Sequence, residues 1–482
     1  MYRIIKNELI KIFSKKSLYI ILLIAFLIIF FSDFFEVENQ RSVENPYALH
    51  YNNALDIKST ADLETEDGIE KYISGQTMID VYKMIMDRYG INSWQEYVTI
   101  KIENSKIFEV LYNYKYINNV ERYNKENNTN IVISEDKEEI KKEYDNIIKL
   151  LDSNSWKEIA SLLKKDFESQ LFENNNVNSS IKLNIEEIDL RLKYDINFGY
   201  DYLNLAIEDY KISKENLSEF EMKKDLSYQE EIQRNELKEK LKTSEYIIKT
   251  KNDINNINTA SYQISNMFSL DNKQIYIVFI CIIILSGIVS DEYNKGTIRK
   301  LLIKPYNRGK ILFGKFMAAI ITMLIISLII SSMVVIIECL RYGINTLNTQ
   351  SIIYDFNNDR IIEMNIFSYL GLQFLMKLPM FIGMIIILLF ISTIFGSSII
   401  TMALGFIIYF GGNTIINNPT ILPEIAKLLP NCNWDFSIYV FGKLPKIEGM
   451  NIEISMIICL VYYLILLIPT FIWFKNGDIK NK

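Results

Sequence analysis

The chain has 482 residues, of which 49% are hydrophobic and 23% are charged, and its formal net charge is −6. These averages suit a soluble protein, but the two kinds of residue are strongly segregated along the chain. Residues 36–273 hold 31 Lys and Arg against 45 Asp and Glu, a net charge of −14, whereas the rest of the chain has a net charge of +8. This pattern excludes a uniformly soluble protein and indicates an acidic soluble domain within a basic membrane protein.

The first apolar run, residues 18–35, follows a basic segment, residues 1–17. As a helix the run would rise roughly 27 Å, about the thickness of the hydrocarbon core of a bilayer. A cleaved signal peptide is the competing interpretation. However, no small-x-small cleavage site follows the run, and the run is longer than a typical signal-peptide core. The sequence therefore predicts a retained first span.

Residues 36–273 form the acidic domain, which we expect to be mainly helical. Ser155 and Glu158 make a capping-box pattern ahead of apolar residues at three- and four-residue spacing between Trp156 and Leu171. A second helical stretch runs from Ser227 to about Asn252, so paired helices are expected to form a stalk. The four cysteines lie outside this domain, which therefore has no disulfide framework. At roughly 240 residues it can bury its own core.

Five further apolar runs follow the acidic domain, and each should be a helix because backbone polar groups cannot stay unpaired in lipid. These predicted spans are 274–290, 316–337, 376–391, 395–416 and 453–474. The segments between and after them are 291–315, 338–375, 417–452 and the tail 475–482. The predicted fold class is therefore an all-α polytopic membrane protein with six transmembrane helices and a large, mainly helical domain between the first two.

Orientation follows from the Lys and Arg residues in the short loops. Segment 1–17 has five, segment 291–315 has seven and the tail has three, whereas segments 338–375 and 417–452 are poorer relative to their length. We expect a multi-pass protein of the cell membrane with both termini and segment 291–315 in the cytoplasm and the acidic domain outside. The heavy use of Ile, Asn, Lys and Tyr suggests a low-GC bacterium as the source.

The fourth span has two possible starts. It begins near Met376 with Lys377 extended to the outer surface, or it is a longer, kinked helix that begins near Ile366 and contains Pro379. A functional lysine within the membrane is a third interpretation of Lys377.

Segment 291–315 reads DEYNKGTIRKLLIKPYNRGKILFGK and predicts a short amphipathic helix at a membrane exit. Its apolar pair Leu301–Leu302 suits a groove on a partner, and its basic residues suit acidic rims or lipid phosphates. The alternative is a positively charged loop that sets topology and nothing else. Asp291 and Glu292 oppose the dipole of the preceding helix, so we expect ion pairs with Lys295 or Arg299, or two solvated carboxylates.

The order of residues in this segment resembles the E-x(3)-GT-x(3)-LL-x-x-P-x-x-R pattern of ABC-2 type transporter permeases. The resemblance implies a coupling helix that docks on a separate ATP-binding subunit. The residues implied in that coupling are Glu292, Gly296, Thr297, Arg299, Leu301, Leu302, Pro305, Arg308 and Lys315. The run Asn7-Glu8-Leu9 with Lys11 looks like the interfacial amphipathic helix that precedes the first span in that family, here within residues 1–17. Segment 417–452 would hold the short re-entrant or interfacial helices of its external gate region.

The resemblance implies the permease subunit of an ATP-driven exporter, working with a second permease chain, identical or similar, in the lipid bilayer. The chain has no phosphate-binding loop, since Arg308-Gly309-Lys310 is followed by Ile311 rather than Ser or Thr. We therefore expect no enzymatic activity and no catalytic residue, with ATP and magnesium bound by the partner subunit. The single His50 belongs to no metal-ligand pattern, so no metal or cofactor is expected in this chain, and no nucleic acid as a partner.

A membrane-anchored extracellular sensor or binding protein without transport is the alternative function. A domain with a net charge of −14 could attract a cationic peptide by long-range electrostatics. Solubility explains that charge equally well.

Overall fold

The computed structural model describes residues 1–41, 46–102, 105–133, 136–173, 179–252, 259–268, 274–294, 296–297, 307–348, 350–417 and 423–476. The described residues are mainly α-helical, which confirms a helical fold class. The chain divides into two compact units. We call Met1–Glu36, Lys224–Glu239 and Ile254–Lys482 the apolar unit, and Val37–Lys223 with Lys240–Asp253 the acidic unit.

The helices of the first half of the chain are α1 (Tyr2–Phe13), α2 (Lys16–Arg41), α3 (Pro46–Ser59), α4 (Glu66–Tyr89), α5 (Trp94–Glu96), α6 (Lys106–Asn127), α7 (Lys137–Asp152), α8 (Trp156–Glu173), α9 (Ser179–Tyr194), α10 (Tyr202–Glu221) and α11 (Tyr228–Thr250). The elements of the second half are α12 (Ala260–Ser265), α13 (Gln274–Leu285), α14 (Ser290–Asn294), α15 (Arg308–Tyr342), β1 (Gln350–Asp355), β2 (Arg360–Asn365), α16 (Ile366–Phe395), α17 (Ser398–Asn417), α18 (Pro423–Leu428), α19 (Pro430–Asn433) and α20 (Ile452–Asn476). A π-helical turn covers Tyr97–Lys101, and short 3-10 turns cover Ile344–Asn348 and Phe436–Tyr439.

The acidic unit has its own hydrophobic core. The predicted amphipathic helix is confirmed as α8, whose Ile159, Leu163 and Phe167 are buried in that core. Several helices of the unit begin where a side chain accepts a free backbone N–H group of the first turn, as Thr65 does for α4 and Asp201 does for α10. Sequence-local caps thus set where several of these helices start.

A buried ion network lies between α9 and α10. Arg191 is fully buried and its guanidinium lies 2.9 Å from the Glu187 carboxylate, and Lys211 lies 3.3 Å from the same carboxylate. Burial opposes ionisation of Glu187, but the charges of Arg191 and Lys211 outweigh burial and lower the pKa of Glu187.

The apolar unit has the architecture of an α-helical membrane protein. Among the described residues, four helices are long and apolar enough to cross a membrane: Gln274–Asn294, which joins α13 and α14, and α15, α16 and α20. α1 and the apolar part of α2 meet the same criterion only as a pair bent by 60°, and the apolar part of α17, Ser398–Gly412, is shorter. Every predicted span falls on one of these helices, while the count of six stays a prediction.

The region 338–375 differs from the predicted loop. α15 continues to Tyr342, and a β-hairpin follows, so the all-α description is wrong for this segment. The strands are antiparallel with Ile353 opposite Ile362. Isoleucine and tyrosine favour strands, and Asp355 stabilises the turn by accepting the backbone N–H of Asn357 at 3.0 Å.

The longer of the two starts proposed for the fourth span is observed. Asn365 caps α16 by accepting the backbone N–H of Phe367 at 3.0 Å, so the helix begins at Ile366. Pro379 therefore lies inside the helix.

Candidate functional site

Four charged side chains meet in the apolar unit, and we call them the charge cluster. Lys315 is 1% exposed, and its Nζ donates to Glu8 Oε2 at 2.9 Å, to Glu292 Oε1 at 2.8 Å and to the carbonyl of Ile288 at 2.9 Å. Lys11 Nζ lies 2.8 Å from Glu8 Oε1 and 2.8 Å from Glu292 Oε1. The cluster holds two positive and two negative charges, and Lys315 uses all three of its protons.

The cluster joins three separate segments of the chain. Glu8 and Lys11 lie three residues apart on α1 and so share a face. Glu292 belongs to α14, and Lys315 lies in the first turns of α15. The N-terminal helix is therefore bonded to both ends of segment 291–315. A buried charge is tolerated only when it is paired and hydrogen-bonded, which explains why these four residues occur together.

Gly314 lets α1 pack closely against α15 beside the cluster. A Cβ atom at Gly314 would lie 2.5 Å from Cγ2 of Ile4, which is closer than real Cβ contacts. The same two helices are held by close packing of the Ile4 side chain on Gly314 and by ion pairs at Lys315.

Asp291 is paired with the N-terminal segment as well, since its Oδ2 lies 2.7 Å from Lys15 Nζ. We expected Asp291 and Glu292 to pair locally with Lys295 or Arg299, or to be solvated. Glu292 is instead buried, and the described partners of both acids come from α15 and the N-terminal lysines. Lys295 and Arg299 lie outside the described residues.

A break between α13 and α14 aims the Ile288 carbonyl at Lys315. Residues 286–289 form turns rather than regular helix. Ser392 of α16 supports the break: its hydroxyl accepts the N–H groups of Val289 at 3.3 Å and Ser290 at 3.0 Å, and it donates to the carbonyl of Ser286 at 3.1 Å. One serine thus satisfies three backbone groups that leave the helical ladder.

A second buried ion pair lies elsewhere in the apolar unit. Lys377 of α16 is 2% exposed, and its Nζ lies 2.9 Å from Oδ2 of Asp435. Asp435 also accepts the backbone N–H of Ser437 at 3.0 Å. The alternative in which Lys377 extends to the outer surface is therefore not observed, because a carboxylate from residues 430–439 meets this lysine in the interior.

Residues 430–439 are fixed by further polar contacts. Asn433 donates to the carbonyls of Lys427 and Leu429, both at 2.8 Å, and accepts the hydroxyl of Ser455 at 3.0 Å. The side chain of Trp434 is fully buried. The segment predicted to contain short re-entrant or interfacial helices does contain two short helices, α18 and α19.

Comparison with known proteins places this region in a family. Residues 232–480, more than half of the chain, match the family described as protein of unknown function DUF2705. The chain belongs to the DUF2705 family. The match includes Glu292, Lys315, Lys377 and Asp435. It begins at residue 232, so α1 and most of the acidic unit precede it.

Two relatives of this DUF2705 protein come from Bacillus subtilis (strain 168). It is 28% identical to the uncharacterized protein YhcI over 202 residues, which are 42% of this chain and 64% of YhcI, less than two thirds of that protein. It is 22% identical to the uncharacterized membrane protein YdbK over 207 residues, 41% of this chain and 76% of YdbK. No solved structure matches the chain.

The structure of the DUF2705 protein brings together four of the predicted site residues, Glu8, Lys11, Glu292 and Lys315. Gly296 lies just after α14 with φ of +63°, a conformation that suits glycine at a helix end. Thr297 is exposed, and Arg308 begins α15 and donates from Nη1 to the carbonyl of Lys475 at 3.2 Å. Outside the described residues lie Arg299, Leu301, Leu302 and Pro305.

Sequence reasoning missed how these residues pair. The sequence indicates Lys15 only as a positive charge, and it places Ser392 in the short junction between the predicted spans 376–391 and 395–416. The signal available was a polar residue within an apolar run, as for Ser392 in the run FISTIF. Such a residue must find a partner when the run is buried.

The described residues contain no group of three or more His, Cys, Asp or Glu side chains that could hold a metal ion. His50 is half-buried, and its ring lies 6.2 Å from that of Tyr82. The prediction that this chain carries no cofactor stays a prediction.

Proposed function

We propose that this DUF2705 protein is the permease subunit of an ATP-driven ABC-2 type transporter that exports its substrate. Six spans would place both termini and segment 291–315 in the cytoplasm and the acidic unit outside. The working assembly would contain a second permease chain and separate ATP-binding subunits that hold ATP and magnesium. The observation that carries the proposal is the ion-paired Lys315. It bonds to Glu8 and Glu292 and so links α1 to both ends of segment 291–315.

This arrangement suits the transfer of a force from segment 291–315 to the spans. α15 begins inside the segment and has 35 residues, so it is about 52 Å long and exceeds the roughly 30 Å hydrocarbon thickness of a bilayer. Because Lys315 is bonded to α1 and α14, a displacement of the segment moves these three helices together. Closure of the ATP-binding subunits would cause that displacement, and α1, α14 and α15 of this chain would transmit it to the spans.

Co-purification tests the proposal. The native chain should retain a P-loop ATPase, and the double substitution Leu301→Asp with Leu302→Asp should release it while the chain keeps its thermal unfolding temperature. Leu63→Asp, at an exposed leucine of the acidic unit, is the matched control and should leave the ATPase bound. Retention of the ATPase by the double variant, or no ATPase on the native chain, contradicts the proposal.

Labelling tests the topology separately. In a cysteine-free background, Thr297→Cys should react with a membrane-impermeant maleimide only in inside-out vesicles. Val132→Cys, in the acidic unit, should react only from the outer face of intact cells. The reverse pattern contradicts the orientation and with it the coupling role.

A second candidate function is a membrane-anchored extracellular sensor or binding protein without transport. The acidic unit favours it because that unit has a hydrophobic core of its own and needs the spans only as an anchor. This function predicts normal activity in cells after Leu301 and Leu302 are both changed to Asp, whereas the transporter predicts loss of activity.

A further inference from the structure

The acidic unit contains a groove of about 600 Å³ that plays no part in the charge cluster. One wall is a face of α4, where Asp67, Glu70 and Ser74 follow each other at helical spacing. The other wall is α6, with Tyr112 and Tyr116 four residues apart. Its volume lies within the range of ligand sites in proteins, roughly 300–1,000 Å³.

The tyrosine wall presents stacked aromatic rings. The ring centroids of Tyr112 and Tyr116 lie 5.8 Å apart with planes inclined by 19°, and the Tyr112 hydroxyl lies 2.8 Å from Ser74 Oγ. Burial and the nearby carboxylate of Glu70 raise the pKa of both tyrosines. The carboxylate of Glu70 therefore lies near both phenol groups, and a carboxylate and an aromatic ring each attract a cation.

An exposed apolar side chain is held at the rim of the groove. Val132 is 80% exposed, and the neighbouring Ile131 is pinned by Asn124, which accepts the Ile131 N–H at 3.0 Å and donates to the Ile131 carbonyl at 3.0 Å. Because its backbone is fixed, Val132 offers an apolar contact surface without the cost of ordering a loop.

The charge of the groove and of the whole unit selects the occupant. Asp67 and Glu70 are exposed and have no ion-pair partner in the part of the chain that the structure describes, while Lys71 is a single opposing charge. Over the whole acidic unit, 27 Lys and Arg stand against 38 Asp and Glu, a net charge of −11. Such a field draws cations toward the unit from a distance.

We propose that this groove binds a positively charged peptide segment. A guanidinium or ammonium group of the peptide lies against Glu70 and the face of Tyr116, and an apolar residue next to it packs on Val132. The site belongs to the acidic unit alone and does not depend on the transport function proposed above.

Fluorescence anisotropy on the full chain in phosphatidylcholine nanodiscs tests this site, with empty nanodiscs as the reference. The probe is a short peptide of alternating arginine and leucine that carries a neutral dye. A second peptide has citrulline, an uncharged analogue of nearly the same shape, in place of each arginine. The arginine peptide should bind about tenfold more tightly, and its affinity should fall as salt rises from about 0.05 M to about 0.5 M.

Substitutions separate the groove from the general charge of the unit. Glu70→Gln should weaken binding of the arginine peptide about fivefold to tenfold, and Tyr116→Leu should weaken it severalfold without changing the charge. Glu143→Gln, at an exposed acid of α7 outside the groove, removes the same charge and should change the affinity by less than about twofold. Equal effects of Glu70→Gln and Glu143→Gln, or equal binding of the citrulline peptide, overturn the proposal.

Discussion

Lys315 is the residue whose loss should show most clearly how the N-terminal helix is attached. The substitution Lys315→Met keeps the length of the side chain and removes its charge. It leaves the buried carboxylates of Glu8 and Glu292 with Lys11 as their one remaining described partner. The Ile288 carbonyl loses its hydrogen bond at the same time.

The expected cost follows from the geometry of the charge cluster. Removing one partner of a buried ion pair typically costs about 3–5 kcal/mol, because the other charge stays buried. Lys11 still lies 2.8 Å from both carboxylates, although its side chain is half exposed, so the lower end of that range applies. We expect a loss of about 3 kcal/mol, or about two orders of magnitude in the folding equilibrium.

Reversible unfolding by dodecyl sulfate in mixed micelles, followed by tryptophan fluorescence and circular dichroism, measures this loss. Lys310→Met is the matched control, since Lys310 is exposed in the first turn of the same helix and should change stability by no more than about 0.5 kcal/mol. Adding Glu292→Gln to Lys315→Met removes one charge of each sign and should recover at least about 1 kcal/mol. If Lys315→Met unfolds like Lys310→Met, or the double variant is the weaker, the cluster does not hold these helices.

Three other measurements examine contacts described above. Gly314→Ala should destabilise the chain by about 1–3 kcal/mol because the new Cβ clashes with Ile4 Cγ2. Adding Ile4→Ala should restore part of this loss in the same unfolding assay. No rescue would refute the close packing of Ile4 on Gly314. Ser392→Ala should cost about 1–3 kcal/mol, since the N–H groups of Val289 and Ser290 lose this partner, whereas the Ser286 carbonyl keeps the hydroxyl of Ser290. Ser332→Ala, whose exposed hydroxyl bonds within its own helix, should be nearly neutral. Glu187→Gln should lower the thermal unfolding temperature at neutral pH. The pKa of Glu187 is lower in the folded state than in the unfolded state, so ionised Glu187 stabilises the fold above the unfolded value of about 4.3, and this stabilisation disappears as pH falls through the folded pKa. The unfolding temperatures of wild type and variant should therefore converge in acid. A difference in unfolding temperature that does not depend on pH would contradict the ion pairing of Glu187.

Local patterns in the sequence predicted much of the helical structure. The capping box and the spacing from Trp156 to Leu171 predicted α8, because both signals act within one helix. Apolar runs predicted the helices of the apolar unit for the same reason. The hairpin at Gln350–Asn365 was missed, since a short isoleucine-rich run carries no periodicity that separates a strand from the end of a helix.

The pairing within the candidate site could not be predicted from local patterns. The motif residues Glu8 and Lys315 were both selected, yet they are 307 residues apart and their contact depends on how α1 packs against α15. Lys377 was recognised as unusual, but its partner Asp435 lies in a separate segment with several prolines and no regular period. Sequence spacing identifies candidates on one helix, whereas tertiary packing decides which candidates meet.

The buried pair of Lys377 and Asp435 has a consequence for how the chain is made. Asp435 is synthesised 58 residues after Lys377, so the lysine emerges from the ribosome long before its counter-ion exists. α16 is among the helices long enough to cross a membrane, and an unpaired lysine near the centre of such a helix opposes insertion by about 2.5–3.5 kcal/mol. The counter-ion of Lys377 therefore becomes available only after the segment that carries Asp435 has been made, and we expect α16 to reach its final packing together with the quarter of the chain that it begins.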